Sequence, residues 1–338
     1  MCVNFCLFGF LFLINACTAQ RDVSLPFSAG SFQQIFRTFM PVPAGRSADL
    51  SDVRIRFYGT NSTKPTTYRL RSATRLLSDP QFDAGRLTTL YIHGYVELWT
   101  DPSVEAVVRA YRPRGHNLLV LDWANLGFGN YIGVGLRVEP IGLESGKAMW
   151  KLLRGGLPVQ RLHIVGHSMG VGIAGVIGRY LASKGFMVPR LTGLDPAYPG
   201  FYPPLLAPPV QPSDAVFVDV VHTDGGGYGA PVATGHVDYW PNAGSAKQPG
   251  CLPVTLPLTS EDFCSHWRSW QFWSEAVASR EPVFLARQCT DYDAFLRGAC
   301  RENPLVQMGL EADPTLRGNF YFRTAAKEPF ALGARGAE

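Results

Sequence analysis

The sequence predicts an α/β fold with a mostly parallel central sheet that is covered by helices on both faces. Brief apolar runs have the length and composition of buried strands, at 88–92, 117–121, 162–165, 190–194 and 216–221. Longer segments have helical spacing, at 141–153, at 169–184 and from about 266 to 277. Strands that alternate with helices form parallel sheets, and this alternation therefore fixes the predicted fold class.

Composition indicates a globular chain with a large core. Of the 338 residues, 46% are hydrophobic and 17% are charged, which excludes a disordered protein. We expect a single α/β domain over residues 20–338. The formal net charge is +4 and the basic residues are dispersed. Without a polybasic run, nucleic acid is not an expected partner.

The first residues differ in composition from the rest of the chain. Residues 5–16 are almost wholly apolar, and small residues at 17 and 19 precede a potential cleavage point before Gln20. This pattern predicts a secretory signal peptide over residues 1–19 and a secreted, extracellular protein. A membrane anchor is the alternative, but the apolar run is short for a bilayer span. Asn61 begins an Asn-Ser-Thr acceptor sequence, so we expect it to carry a glycan.

Four cysteines remain once the signal peptide is removed. An even number in a secreted chain indicates two disulfides, which allow three connectivities. The short separations along the chain favour two local pairs, Cys251–Cys264 and Cys289–Cys300. Zinc binding is a poor alternative because neither pair has Cys-x-x-Cys spacing.

Residues 166–170 read Gly-His-Ser-Met-Gly and lie between an apolar run and a stretch of small residues. The order strand, Gly-x-Ser-x-Gly, helix is that of the nucleophile elbow in the α/β-hydrolase fold, with Ser168 as the nucleophile. Glycine is needed at 166 and 170 because Cβ atoms there would collide with the adjacent strand and helix. A structural turn is the alternative, since the pentapeptide alone also occurs by chance.

A serine nucleophile needs a base to take its proton and an acid to orient that base. In this fold the acid follows the nucleophile along the chain, and the histidine follows the acid. Asp195 is the first candidate acid, because it ends a predicted strand at the sheet edge where ligands bind. Asp224, next to a glycine-rich loop, is the rival.

Three histidines follow the nucleophile, and the residues alone leave the choice among them open. His222 closes an apolar strand, and His236 lies between loop segments. His266 lies two residues after Cys264, whose disulfide would hold the loop, and precedes a predicted helix. A rigid loop in front of a helix is a suitable position for a general base.

An oxyanion hole requires two backbone N–H groups. The residue after the nucleophile, Met169, supplies one of them, and the second comes from the loop after an earlier strand. His93-Gly94-Tyr95 directly follows the predicted strand 88–92, so the amide of Tyr95 is the second candidate. His93 precedes Ser168 in the chain, which argues for a structural role.

In combination these motifs resemble the pancreatic-lipase family of secreted animal lipases, over roughly residues 50 to 332. The segments that carry the resemblance are 93–95, 166–170, 192–197, 221–224, 235–242, 264–269 and 318–324. The resemblance implies a catalytic triad of Ser168, Asp195 and His266, with oxyanion amides from Tyr95 and Met169. It also implies a lid bounded by the Cys251–Cys264 pair.

That lid comprises residues 252–263, and an ordinary stapled surface loop is the alternative. Five apolar side chains would face lipid or substrate, namely Leu252, Val254, Leu256, Leu258 and Phe263. The lid and the glycine-rich loop 225–235 are short, as in the family's phospholipase A1 members. The expected activity is release of a fatty acid from phospholipid at a membrane, micelle or droplet interface. Triacylglycerol lipase is one alternative, and a non-catalytic lipid-binding or yolk-type protein is another.

Departures from the family pattern lead us to expect no protein cofactor and no metal. The family's digestive lipases carry a C-terminal β-sandwich domain, whereas this chain ends soon after its last predicted strand, so no colipase-type partner is expected. The family's calcium site draws on acidic residues before the strand that leads to His222. Asp214 is present there, but residues 210–212 read Val-Gln-Pro. No other cofactor is expected.

Overall fold

The computed structural model describes residues 37–38, 49–59 and 64–338. The predicted signal peptide at residues 1–19 and the candidate glycosylation site Asn61 lie outside the described residues.

The strands are β1 (Arg54–Tyr58), β2 (Thr66–Arg69), β3 (Thr88–Ile92), β4 (Asn117–Asp122), β5 (Leu162–His167), β6 (Arg190–Leu194), β7 (Phe217–Val221), β8 (Val237–Pro241), β9 (Phe284–Gln288), β10 (Leu305–Met308) and β11 (Gly318–Phe322). The α-helices are α1 (Pro102–Tyr111), α2 (Ala124–Gly127), α3 (Tyr131–Gly135), α4 (Val138–Arg154), α5 (Met169–Ser183), α6 (Cys264–Ala278) and α7 (Tyr292–Leu296).

All of these strands belong to one sheet, in the order β10-β9-β11-β8-β7-β6-β5-β3-β4-β1-β2. From β11 to β4 every neighbouring pair is parallel. Antiparallel pairs flank this central part at both ends. The mostly parallel sheet that the alternating elements predict is therefore confirmed. Within the described ranges, no helix is both long and apolar enough to cross a bilayer.

The sheet has a hydrophobic core on each face. In β3, Leu90 and Ile92 belong to the core formed with α4 and α5, while Tyr91 belongs to the core formed with α1 and α6. Successive strand residues point to opposite faces, so a strand covered on both faces must be apolar throughout. This explains why the central strands read as continuous apolar runs in the sequence.

Helix α6 begins earlier than the sequence predicts. The helix begins at Cys264, so His266 lies in its first turn, and the expectation that His266 lies on a loop before the helix is wrong. Ser265 is the residue type that would cap such a helix. Its hydroxyl instead accepts hydrogen bonds from the backbone N–H groups of Lys247 (2.9 Å) and Gln248 (3.0 Å). The Ser265 hydroxyl therefore makes a tertiary contact and not a helix cap.

Strands β6 and β7 are joined by a buried ion pair, which predicts a large effect of mutation. Arg190 donates to both carboxylate oxygens of Asp219, at 2.9 and 2.7 Å, and Asp219 is fully buried. Asp219→Ala would leave the Arg190 charge uncompensated and should lower the free energy of unfolding by about 3–5 kcal/mol. Denaturant titration measures this change.

The matched control is Asp83→Ala, which breaks the exposed Arg86–Asp83 pair and should cost about 1 kcal/mol or less. Equal losses in the two variants would contradict a stabilising role of the buried pair.

Candidate active site

Ser168 lies at a sharp turn between β5 and α5. Its backbone has φ 55° and ψ −125°, a positive φ that residues other than glycine seldom adopt. A Cβ on Gly166 would lie 2.5 Å from the carbonyl oxygen of Gly170, and a Cβ on Gly170 would lie 2.3 Å from that of Ile92. There is thus no room for a side chain at either glycine, and the turn lifts Ser168 above the end of the sheet.

Asp195 and His266 form a buried hydrogen-bonded pair. Asp195 directly follows β6 and is fully buried. Its Oδ1 accepts from the amides of Thr223 (2.8 Å) and Asp224 (3.1 Å), and its Oδ2 lies 2.6 Å from His266 Nδ1. A carboxylate can only accept, so Nδ1 carries the hydrogen and Nε2 is left as an acceptor. This is the tautomer that a general base requires.

Ser168 and His266 line the same cavity at the carboxyl end of the parallel strands. Tyr95 forms part of its wall, as do Leu258 and Phe263 from the predicted lid. The geometry thus brings the predicted nucleophile, base, oxyanion loop and lid to one opening. Ligands bind at this edge of open α/β sheets.

Asp224, the rival acid, is buried beside this pair but is hydrogen-bonded elsewhere. Its Oδ2 accepts from the amide of Tyr228 at 3.0 Å. Burial, followed by the negative charge of Asp195, raises the pKa of Asp224 from 3.8 to about 7, although His266 opposes the shift. Atoms of Asp195, Asp224 and His266 that could bind a metal lie within 4.8 Å of one another. Both carboxylate oxygens of Asp195 are already engaged, with two backbone amides and with His266.

The other candidate histidines have structural partners. His222 Nε2 lies 2.7 Å from Asp238 Oδ1 and its Nδ1 lies 3.0 Å from the carbonyl oxygen of Ala230. His236 Nδ1 accepts from the amide of Val218 at 3.0 Å. Both histidines are thus engaged elsewhere in the fold, and neither lines the cavity that contains Ser168.

The two segments that carry the candidate oxyanion amides border the nucleophile. Met169 is the first residue of α5, so its N–H has no acceptor within the helix. The loop after β3 comes close to the turn, since a Cβ on Gly94 would lie 3.0 Å from Ser168 Cβ. Tyr95 follows Gly94 directly, and its hydroxyl donates to the carbonyl of Gly129. This tether holds the loop next to the cavity.

The four cysteines in the described part of the chain form the two disulfides that their short separations favour, Cys251–Cys264 and Cys289–Cys300. Between the first pair, Leu252 is 41% exposed, Val254 82% and Leu256 46%. Leu258 and Phe263 line the cavity instead. The segment therefore presents apolar side chains both to solvent and to the site, which is the distribution that a lid at a lipid surface would need.

The residues around Asp214 do not fit the calcium site that the resemblance implies. Both carboxylate oxygens accept from Arg179 Nη1, at 2.9 and 2.7 Å, and Oδ2 also accepts from the amide of Gln211 at 3.0 Å. The positive charge of Arg179 thus already pairs with the carboxylate that a calcium ion would need as a ligand.

Sequence reasoning missed several side chains of the cavity wall, namely Glu97, Tyr131, His167, Tyr228 and Trp267. Trp267 belongs to the tryptophan stripe of α6, whose other members, Trp270 and Trp273, are core residues. The sequence offered only a weak signal, which is closeness in the chain to recognised motifs. Glu97 follows the oxyanion loop, and His167 precedes the nucleophile. Their contact across the fold has no signature along the chain.

The chain is similar in sequence to known lipases and phospholipases. The family model described as Lipase matches residues 35–330. Phospholipase A1 member A of Rattus norvegicus is 31% identical over 297 residues, which are 83% of this chain and 64% of that protein. The Homo sapiens protein of that name is 29% identical over 86% of this chain and 68% of its own length. Pancreatic triacylglycerol lipase of Cavia porcellus is 29% identical over 84% and 66%.

The chain belongs to the lipase family. It spans about two thirds of the length of these relatives.

The raised pKa of Asp224 predicts a dependence of stability on pH. Between its usual pKa of 3.8 and its folded value of about 7, the folded chain holds a proton that the unfolded chain has released. Stability from this group is therefore complete below pH 3.8 and is lost as pH rises to about 7. Asn has no proton to release, so Asp224→Asn should not show this loss. The free energy of unfolding of the variant should therefore rise relative to that of wild type between pH 4 and pH 8.

Denaturant titrations at several pH values measure this difference, and a variant of the exposed Glu105, Glu105→Gln, serves as control. A difference that stays constant with pH for Asp224→Asn would contradict the burial argument.

Proposed function

We propose that the chain is a secreted carboxylic ester hydrolase that acts on lipid esters, with Ser168 as nucleophile, His266 as general base and Asp195 as the orienting acid. The observation that carries the proposal is the 2.6 Å contact between Asp195 and His266 at a cavity whose wall includes Ser168. Family membership supports the reaction class, and the two disulfides support an extracellular location.

The proposed reaction proceeds through an acyl-enzyme. Ser168 Oγ attacks the acyl carbonyl carbon while His266 Nε2 takes the hydroxyl proton. The amides of Tyr95 and Met169 donate to the oxyanion, and each such donor typically lowers the barrier by about 2.7–4 kcal/mol. His266 then protonates the leaving alcohol. Water attacks the acyl-enzyme in the same way and releases the fatty acid.

Within lipid esters, we favour phospholipid cleaved in the manner of a phospholipase A1. The lid at 252–263 and the loop at 225–235 are short, so they cover little of the cavity entrance and leave room for a bulky headgroup. The relatives named phospholipase A1 member A also support this choice. Triacylglycerol lipase is the second candidate, because a relative with that name matches as well. Retention of Ser168, Asp195 and His266 argues against a non-catalytic lipid-binding protein.

The partner in this proposal is a lipid surface. Exposed apolar side chains of the lid, above all Val254, would contact that surface.

The assignment of the acid predicts a clear difference between two conservative variants. Asp195→Asn should lower kcat by about 10⁴-fold, because the histidine loses the carboxylate that fixes its tautomer. Asp224→Asn should retain most activity, since Asp224 is hydrogen-bonded to Tyr228 and not to His266. Initial rates on a soluble short-chain ester measure both, with folding checked by circular dichroism.

Ser168→Ala supplies the inactive reference. A larger loss in Asp224→Asn than in Asp195→Asn, with both folded, would reverse the assignment.

The substrate proposal predicts faster fatty-acid release from the outer acyl position of phosphatidylcholine than from triolein. It also predicts only modest activation above the micelle-forming concentration, because a short lid restricts access little. The same secreted preparation should be assayed on both lipids, with Ser168→Ala as the blank. Strong interfacial activation on triolein without release from phosphatidylcholine would overturn the phospholipid preference and leave the hydrolase proposal intact.

A further inference from the structure

Glu97 is a buried carboxylate with no place in the triad. It lies three residues after Gly94, is 5% exposed and forms part of the cavity wall that includes Ser168. A buried charge is unfavourable unless it is paired and hydrogen-bonded, so its partners indicate what it stabilises.

Those partners come from three different segments around the nucleophile. Oε2 accepts from the amide of Gly94 at 2.8 Å and from the hydroxyl of Ser103, in the first turn of α1, at 3.1 Å. Oε1 lies 3.2 Å from Nδ1 of His167, the last residue of β5 and the neighbour of Ser168. One carboxylate therefore connects the loop after β3, the start of α1 and the strand that carries the nucleophile.

The carboxylate is held in its ionised form. Burial alone would raise the pKa of Glu97, but the nearby imidazoles of His167 and His93 and the amide of Gly94 outweigh it and lower the pKa to about 2. An ionised acceptor forms hydrogen bonds roughly twice as strong as those of a neutral acceptor. Glu97 is thus a strong, permanent tether for the Gly94 amide at neutral pH.

The tether acts where there is little free space. A Cβ on Gly94 would lie 2.9 Å from His167 Nδ1 and 3.0 Å from Ser168 Cβ, so the loop is packed directly against the nucleophile. The next amide along the loop is that of Tyr95. A displacement of about 1 Å in such a position can reduce a rate by about 10²-fold.

We propose that Glu97 is a positioning residue that fixes the loop 94–95 through the Gly94 amide, and so preorganises the Tyr95 amide for the oxyanion. This inference rests on the proposed function. A displaced Tyr95 amide would stabilise the transition state less and would leave the binding of the ground-state ester unchanged. Loss of Glu97 should therefore lower kcat and leave KM nearly unchanged.

The test compares Glu97→Ala and Glu97→Gln with Glu105→Gln, a control that alters an exposed carboxylate on α1. On a soluble short-chain ester, Glu97→Ala should lower kcat by about 10²-fold, within the range for loss of one oxyanion donor, with KM unchanged. Glu97→Gln keeps an oxygen that can accept from Gly94 and should recover much of that loss. The control should behave as wild type.

A second readout separates positioning from general stability. An alkyl boronic acid forms a tetrahedral adduct with a serine hydroxyl and mimics the oxyanion, whereas a non-hydrolysable ether phospholipid mimics the substrate. Glu97→Ala should lose affinity for the boronic acid in parallel with kcat and retain affinity for the ether lipid. Equal losses for both ligands, or a raised KM with unchanged kcat, would overturn the inference.

The two proposals fail in different ways. If wild type hydrolyses esters and Glu97→Ala matches Glu105→Gln, only the role of Glu97 is wrong. If wild type hydrolyses no ester, the proposed function fails and the role of Glu97 fails with it. If Glu97→Ala does not fold, the affinities of Glu97→Gln and Glu105→Gln for the boronic acid and for the ether lipid test the role of Glu97 instead.

Discussion

The site depends on the close approach of three backbone segments beneath Ser168. The end of β3, the end of β5 and the start of α5 meet so tightly that a Cβ on Gly170 would lie 2.3 Å from the carbonyl oxygen of Ile92. This packing holds Ser168 at a positive φ, a conformation that persists only when its surroundings fix it. The same approach brings the loop after β3 beside the nucleophile, where a second oxyanion amide is needed.

Around this turn, environment gives three buried carboxylates different properties. Glu97 has a backbone amide, a hydroxyl and imidazoles close by, and its pKa falls to about 2. Asp224 has one amide donor and the charge of Asp195 beside it, and its pKa rises to about 7. Asp195 accepts from two amides and contacts His266. The hydrogen-bond donors and charges around each carboxylate thus decide whether it can orient a base or serve as a tether.

The sequence was informative wherever the signal was local. The elbow, the central strands β3 to β7 and both disulfides could be predicted, since each depends on neighbouring residues or on short separations. The sequence predicts His266 on a loop held by the Cys264 disulfide, whereas the helix already begins at Cys264. Only the folded chain brings the amides of Lys247 and Gln248 to the Ser265 hydroxyl in that first turn. The contact between Glu97 and His167 joins residues far apart in the chain, so no pattern in the sequence could have indicated it.

The proposed mechanism requires Ser168 to be an activated nucleophile, and active-site labelling measures that activation. The chain should be treated with an organophosphate ester, which phosphorylates serine only where a base activates it, and then digested for mass spectrometry. We expect one adduct, on the peptide that contains Ser168, together with complete loss of esterase activity, and no adduct in His266→Ala. Retention of activity without an adduct, or a single adduct on another residue that abolishes activity, would contradict it.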